Sequence, residues 1–211
     1  EEQRRDARPA LENSALSGYH RFPDAERQFW MRSGVAGFQN DAARHFYLPE
    51  RYTDAFGNTT TLSFDTRYHL FLESSRDPDP VGNITRVDAF DYRVLAPSIL
   101  EDINDNLTEV VYDILGLPAA VAVKGKRERR EGDHLEPLVA DINLLQPPVA
   151  RVAAIYSGPY EEAELQRLLA TATARHFYWF GETVDPVSGA ISYNTSPAGA
   201  CGILREIHVA D

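Results

Sequence analysis

A short sequence pattern that occurs three times at nearly constant spacing constrains the fold of this 211-residue chain more than any other feature. Each copy carries a Gly-Asn or Asp-Asn pair followed closely by threonine, and each leads to an aromatic residue that precedes aspartate. The pairs begin at Gly57, Gly82 and Asp105, which lie 25 and 23 residues apart. A period of about 20 to 50 residues indicates a repeat architecture.

The residues of each copy predict a tight turn followed by a strand. Glycine takes a positive φ at little cost, and aspartate, as at Asp105, is one of the few other residues that tolerate the left-handed region. The β-branched and aromatic residues that follow favour strands. Such short strands cannot bury an apolar face alone, so the units are expected to lie side by side in one extended sheet. We assign this structural role to Asp54, Gly57, Asn58, Asp65, Asp79, Gly82, Asn83, Asp91, Asp105, Asn106, Tyr112 and Asp113.

The Asp-x-x-Gly-Asn-x-Thr turn with a following Tyr-Asp or Phe-Asp resembles the RHS, or YD, repeat of large toxin shells. Residues 44–58, 91–97, 111–117 and 205–211 extend the similarity in the same order, and together they resemble the B component of insecticidal toxin complexes. The similarity runs from about Arg44 to the last residue. The chain departs from the pattern at Asp105, which replaces the turn glycine, at the Asp77-Pro-Asp79-Pro pair and at the basic cluster 124–130.

The resemblance implies a section of a hollow β-shell that, with the C component, encloses a cytotoxic cargo before delivery through a pore-forming A component. It implies partners among other RHS-shell segments or toxin-complex components, self-association of an isolated piece, no cofactor, and a secreted or extracellular virulence protein. The aspartic-protease activity of such relatives lies beyond this stretch, so no residue here is assigned to it. We expect a piece of a longer protein or a shortened relative.

We therefore predict a mainly β fold, an antiparallel twisted sheet of RHS/YD-type hairpin repeats with one or two short helices. The expected organisation is an N-terminal arm and aromatic-rich cap over 1–50, β-repeats over 51–124, a linker over 125–148, and a helix plus C-terminal strands over 149–211. Strands are expected near 59–64, 68–74, 84–94, 107–112, 119–124, 175–180 and 203–209. Helices are expected over 138–145 and 160–171, the second with a buried leucine stripe.

Charge and composition exclude several classes of function. The formal net charge of −11 and the pI near 5.0 argue against a nucleic-acid partner, because binding phosphates requires a basic face. No segment approaches the roughly 18 consecutive apolar residues of a membrane span, so a soluble chain is expected. A hydrophobic content of 43% argues against disorder.

Few residues suggest catalysis or metal binding. The six histidines are dispersed, so no metal site is predicted. The single cysteine, Cys201, excludes an intrachain disulfide and is expected to be buried and unreactive. The recurring Asp65, Asp91 and Asp113 are expected to bind turn backbone rather than to act as acids or bases. A non-catalytic role is therefore favoured.

An alternative is a stand-alone domain, derived from the same family, that acts as a small-molecule-binding protein or enzyme. Its ligand pocket would be lined by His176, Tyr178, Trp179 and Tyr193, with Asp185 as a further polar group. Core packing is favoured for these aromatics, because successive residues of a strand face opposite sides of a sheet. N-glycosylation patterns occur at Asn58, Asn83, Asn106 and Asn194, three of them within the repeats, where turn formation already explains the asparagine.

Overall fold

The computed structural model describes residues 13, 17–25, 28–78, 80–129, 131–159, 161–195 and 197–209. The described chain is mainly β with antiparallel pairing, which confirms the predicted fold class. It divides into two compact units, 1–86 and 87–211. The division falls within one strand, so that strand contributes residues to both units.

The first unit contains short strands: β1 (Tyr19–His20), β2 (Trp30–Met31), β3 (Val35–Gly37), β4 (Arg51–Thr53), β5 (Thr59–Phe64), β6 (Leu72–Arg76) and β7 (Ile84–Asp91). Strands β3 to β7 are antiparallel neighbours in sequential order. A separate pair, β1 with β2, precedes them. Two 3-10 helices, Pro23–Ala25 and Ala42–His45, lie in the connections.

The further strands of the second unit are β8 (Ala96–Glu101), β9 (Asn106–Tyr112), β10 (Pro118–Lys126), β11 (Ala174–Trp179), β12 (Glu182–Val184), β13 (Ile191–Tyr193) and β14 (Gly199–Leu204). The sheet of this unit has the order β7-β8-β9-β10-β11-β14. Strands β12 and β13 form a separate hairpin. The helices, all between β10 and β11, are α1 (Glu136–Ala140), α2 (Ile142–Leu145), α3 (Val149–Ser157) and α4 (Glu162–Leu169).

Most predicted strands occur within two residues of the expected bounds, but three differ by more. The strand expected over 84–94 ends at Asp91, because residues 92–95 form a turn in which Leu95 has φ 57°, and the unpredicted β8 follows. The strand expected over 68–74 begins at Leu72, after a loop that Asp65 closes. The strand expected over 203–209 is instead β14, which pairs with β11 over its whole length.

The helices differ from the prediction at identifiable residues. The helix expected over 138–145 is broken at Asp141, which is extended (φ −117°, ψ 101°) and whose carboxylate accepts hydrogen bonds from the N–H groups of Asn143 and Leu144 at the start of α2. Pro148 then precedes α3, which was not predicted. The helix expected over 160–171 is α4; residue Tyr160 lies outside the described residues.

The described core lies in the second unit, between the helices and strands β10 and β11. One buried cluster contains Ala120, Ala122, Leu135, Leu138, Leu169 and Ala172, and the other contains Ile155, Leu168 and Phe177. Leu144 and Ile203 pack against both clusters. Because β10 presents alanines on this face, the segment that begins α1 can lie close to the strand.

A buried carboxylate joins three distant segments of the second unit. The side chain of Asp133 is fully buried and accepts hydrogen bonds from the Thr173 hydroxyl at 2.5 Å and the Val209 N–H at 2.8 Å, and His208 Nδ1 lies 3.0 Å away. Burial alone would raise the pKa of the Asp133 carboxyl. These partners lower the pKa by more than burial raises it, so the net pKa lies below its ordinary value. The charged form is therefore the stable one in this site.

Arg175 is a further buried charge of this unit. Its side chain has no solvent exposure, and Nη2 donates hydrogen bonds to the carbonyls of Leu144 and Leu145 at 3.1 and 3.2 Å. The guanidinium lies 5.0 Å from the centre of the Phe177 ring, and Nε and Nη1 have no hydrogen-bond partner among the described residues. Burial lowers the pKa of Arg175 to about 10, so the group still carries its charge at neutral pH.

Replacing a core leucine tests this packing. We expect Leu168→Ala to lower the free energy of unfolding by about 2 to 5 kcal/mol, because it leaves a cavity beside Ile155 and Phe177. The matched variant Leu115→Ala, at a residue 65% exposed, should change it by no more than about 0.5 kcal/mol. Urea denaturation followed by circular dichroism measures both, and equal effects would contradict the assigned core.

Candidate functional site

The first and third repeat turns have the same hydrogen-bond pattern. In the first, Asp54 Oδ1 accepts from the N–H groups of Phe56 and Asn58, both at 2.8 Å, and Oδ2 accepts from Asn58 Nδ2 at 2.9 Å. In the third, Asp102 makes the equivalent bonds to Asn104 and Asn106 at 2.8, 2.9 and 3.1 Å. One aspartate thus holds the backbone two and four residues ahead of it.

The backbone closes both turns in the same way. The aspartate N–H donates to the carbonyl four residues on, at 2.9 Å for Asp54 and 3.0 Å for Asp102. The fourth residue of each turn has a positive φ, 87° at Gly57 and 61° at Asp105. Asp105 therefore takes the conformation that glycine takes in the first copy.

The turn hydrogen bonds also lower the pKa values of the Asp54 and Asp102 carboxyls. The Asn58 side chain, together with the N–H groups of Asn58, Phe56 and Gly57, lowers the pKa of the Asp54 carboxyl below its ordinary value against a smaller effect of burial. The Asn106 N–H and side chain do the same to the pKa of Asp102. Both carboxylates are therefore ionised at neutral pH and act as hydrogen-bond acceptors. Neither holds a proton that it could transfer.

An aspartate that follows an aromatic residue makes the same turn between β9 and β10. Asp113 Oδ1 accepts from the N–H groups of Leu115 and Leu117, both at 2.8 Å, and Gly116 has φ 84°. Leucine at position 117 supplies no side-chain bond, so the turn forms without the asparagine amide. The backbone bonds to the carboxylate are the shared element of these turns.

The second copy has a longer turn. The N–H of Asp77 donates to the carbonyl of Asn83 at 2.9 Å, and Gly82 has φ 60°. Asp77 therefore closes the turn in the position that Asp54 occupies in the first copy. Asp79, which we predicted for a structural role, lies outside the described residues.

Asp65 and Asp91 bind the loops that follow them. Asp65 is 2% exposed and accepts from the N–H groups of Tyr68, Leu70 and Phe71 at 2.6 to 2.8 Å. Burial raises the pKa of the Asp65 carboxyl, but these bonds outweigh it and the net pKa is lowered. Asp91 accepts from the N–H and the guanidinium of Arg93.

Side chains also join neighbouring turns. The Arg93 guanidinium donates to the carbonyls of Asp113 and Tyr112, which connects the β7–β8 turn to the β9–β10 turn. The Tyr112 hydroxyl donates to the carbonyl of Pro97 at 2.7 Å across the sheet. These bonds lie along one end of the second unit's strands.

Three of the four predicted pocket residues meet at one groove of the second unit. His176, Tyr178 and Trp179 line a cavity of about 310 Å³, whereas Tyr193 lies on β13, 69% exposed, and is not part of the lining. Asp185 also lies outside the groove, and its carboxylate caps the β12–β13 turn. The other lining residues include Asp113, Ile114, Leu115, Pro147, Pro148, Val149, Val152, Phe180 and Glu182.

Hydrogen bonds fix the aromatic side of the groove. The indole N–H of Trp179 donates to the carbonyl of Glu182 at 3.1 Å, and its ring lies 5.6 Å from the ring of Tyr156. The Tyr178 hydroxyl donates to the carbonyl of Pro118 at 3.1 Å. Burial raises the pKa of the Tyr178 hydroxyl, and the negative charge of Asp113 raises it further. The groove is thus preformed, and the charge of Asp113 reaches it.

Some of the dispersed histidines, and Arg127 of the basic cluster, lie beside carboxylates. His134 lies 2.8 Å from Glu136, and His208 pairs with Asp133. Arg127 pairs with Asp88 and Glu101. Among the residues that the structure describes, no group of three or more His, Cys, Asp or Glu side chains could hold a metal ion.

Two further expectations concern Cys201 and the membrane. Cys201 is a free thiol, but it is half-buried rather than buried, and it packs against the cluster around Phe177. Within the described residues, none of the helices has the length and apolar character needed to cross a bilayer.

Comparisons with known proteins give structural matches alone. No family model and no curated protein matches the chain. The crystal structure of TcdB2-TccC3 matches with a TM-score of 0.51 at 21% identity over 82% of this chain, and that of TcdB2-TccC3-TEV with 0.53 at 21% over 83%. The Photorhabdus luminescens Tc holotoxin pore matches with 0.50 at 24% over 81%. The chain spans 7% to 8% of the length of the matched chains, and at these identities the likeness shows a shared fold.

Exchanging the fourth turn residue tests the backbone requirement. We expect Asp105→Gly to raise the free energy of unfolding by about 0.5 kcal/mol, because glycine takes a φ of 61° without side-chain strain. Gly57→Asp should lower it by about 1 kcal/mol, although no atom lies near the added Cβ. The control Asn104→Gly, in the same turn as Asp105 but without a positive φ, should not stabilise. Urea titrations measure the free energy of unfolding of all three variants. Stabilisation by Asn104→Gly would contradict the explanation.

Acid titration tests the buried Asp65. Its folded pKa lies below the unfolded value of about 3.9, so its stabilisation is present above that pH and is lost as pH falls through the folded pKa. We expect Asp65→Asn to be less stable at pH 7 and to show a flatter loss of stability from about pH 5 to pH 2. The exposed Asp24→Asn serves as control. Parallel pH profiles for wild type and Asp65→Asn would contradict this assignment.

Proposed function

We propose that this chain is a non-catalytic structural section of an RHS-type shell, similar to the B component of toxin complexes, that encloses a toxic cargo and helps to deliver it. The repeated aspartate turn is the observation that carries this proposal. It closes three hairpins, β4–β5, β8–β9 and β9–β10, with one pattern of carboxylate bonds to backbone N–H groups, in a chain whose fold is shared with parts of TcdB2-TccC3 and the Tc holotoxin pore.

The chemistry of the recurring aspartates supports a scaffold role. The carboxylates of Asp54, Asp102 and Asp113 each bind backbone N–H groups of their own turn. A general acid or base needs a proton-transfer partner and a pKa close to the working pH. The lowered pKa values of Asp54 and Asp102 move these groups away from that range.

Open sheet edges support a role as one section of a larger sheet. Among the described strands, none pairs with the outer edge of β14 in the second unit or with the outer edge of β3 in the first. Strand β14 contains no proline or charged residue, which are the usual protections of an edge against further pairing. We propose that neighbouring RHS-shell segments or other toxin-complex components cover these edges, in a secreted or extracellular assembly.

Self-association of the isolated chain tests the proposal. We expect sedimentation velocity to show reversible association that increases with concentration. The double variant Ala200→Lys/Leu204→Lys should weaken it, because lysines on β14 disfavour edge pairing. The matched control Val139→Lys/Ile142→Lys adds the same charge at exposed helical residues and should have a smaller effect. A monodisperse monomer at high concentration would count against the shell proposal.

The groove supports a second candidate, a small-molecule-binding role for the same domain. The volume of about 310 Å³ is at the lower end of the range of small-molecule sites, which is about 300 to 1,000 Å³. The lining combines aromatic and aliphatic side chains with a few polar groups, as in such sites. This role does not exclude the shell role, because the groove and the open edge of β14 involve different residues.

A further inference from the structure

We infer that the groove between the β9–β10 turn and the start of α3 binds a small organic cation with an apolar or aromatic body. This inference rests on the second candidate function and names its ligand class.

The lining carries negative charge and no permanent positive charge. Asp113 and Glu182 both line the groove, and among the residues that the structure describes no lysine or arginine does. The turn bonds of Asp113 go to Oδ1, so Oδ2 carries none of them. Together with the net charge of −11, this arrangement favours a cation over an anion or a zwitterion.

The positive end of α3 weakens the preference for a cation only in part. A helix N-terminus carries a partial positive charge, and Val149 at the start of α3 lines the groove. Glu182 also lines a second cavity beside Val149 and Ala150, and its Oε2 already accepts a hydrogen bond from the Phe180 N–H at 2.7 Å. Asp113, in the β9–β10 turn, is the carboxylate that remains for the ligand.

The aromatic side chains of the groove suit a cation that lies against a ring face. Trp179 is held at its indole N–H by Glu182 and packs against Tyr156, and Tyr178 is held at its hydroxyl by Pro118. Trp and Tyr attract organic cations to their ring faces. Because these side chains are fixed before binding, little rotamer entropy is lost when a ligand enters.

The β9–β10 turn supplies apolar surface in contact with water. Ile114 is 78% exposed and Leu115 is 65% exposed, and both line the groove with Pro147 and Pro148. A ligand with an apolar body would cover these side chains and gain hydrophobic stabilisation. A small inorganic cation would gain nothing from them, so the ligand class is organic.

The binding test uses three soluble probes of similar size and different charge. These are benzyltrimethylammonium, the neutral N,N-dimethylbenzamide and the anionic phenylacetate. The chain contains two tryptophans, so Trp30→Phe leaves the Trp179 indole N–H as the one indole signal in a two-dimensional NMR spectrum. We expect benzyltrimethylammonium to shift this signal in a saturable manner, and to bind more tightly than either other probe.

Charge variants at Ile114 give the matched comparison. Ile114→Lys should weaken binding of benzyltrimethylammonium about fivefold, and Ile114→Glu should strengthen it by a similar factor. Val187→Lys makes the same charge change at a residue 95% exposed and outside the groove, and should change affinity less than about twofold. None of these side chains is buried, so the variants should fold.

The outcomes separate the ligand class from the candidate function. Equal or tighter binding of the neutral or anionic probe would overturn the cation inference and leave the small-molecule role in place. Binding of no probe would overturn both. Equal effects of Ile114→Lys and Val187→Lys would place the cation elsewhere on the acidic surface and also overturn the inference. None of these results bears on the shell proposal, which is tested by self-association.

Discussion

The bond between an aspartate carboxylate and the backbone N–H groups of its own turn is the interaction on which the β structure depends. A tight turn leaves N–H groups that cannot join the sheet, and leaving them unpaired is costly. At Asp54, Asp102 and Asp113 one carboxylate satisfies two of them. The adjoining strands can then pair from the first residue after the turn, and their register follows from the turn.

The same interaction explains why the turns tolerate sequence change. The fourth residue must adopt a positive φ, which both glycine and aspartate do here, at Gly57 and Asp105. The fifth residue can be asparagine or, at Leu117, an apolar residue, because the required donor is its backbone N–H. The repeat is therefore defined by geometry, with the first aspartate as its most constrained side chain.

Local chemistry made the turns and many strands predictable from sequence, whereas tertiary packing decided the rest. The strand β8 was missed because its Pro97 and Ser98 do not favour strands, although the sheet supplies partners on both sides. The helix break at Asp141 depends on a cap that competes with helix continuation. Three groove residues were predicted from one aromatic run, but Ile114 and Pro147 come from distant segments, and no local pattern places them beside it.

The hydrogen bonds of the buried Arg175 guanidinium help to set the alignment of β11 with β10. Only two residue pairs, Ala120 with Arg175 and Val121 with Ala174, join this strand to β10. A slip by one residue would turn the guanidinium to the opposite face and away from the Leu144 and Leu145 carbonyls, which are its hydrogen-bond acceptors. A buried charge is a poor source of stability, but here it penalises misalignment strongly. The hydrogen bonds of Arg175 therefore favour the observed register of β11 over one shifted by a single residue.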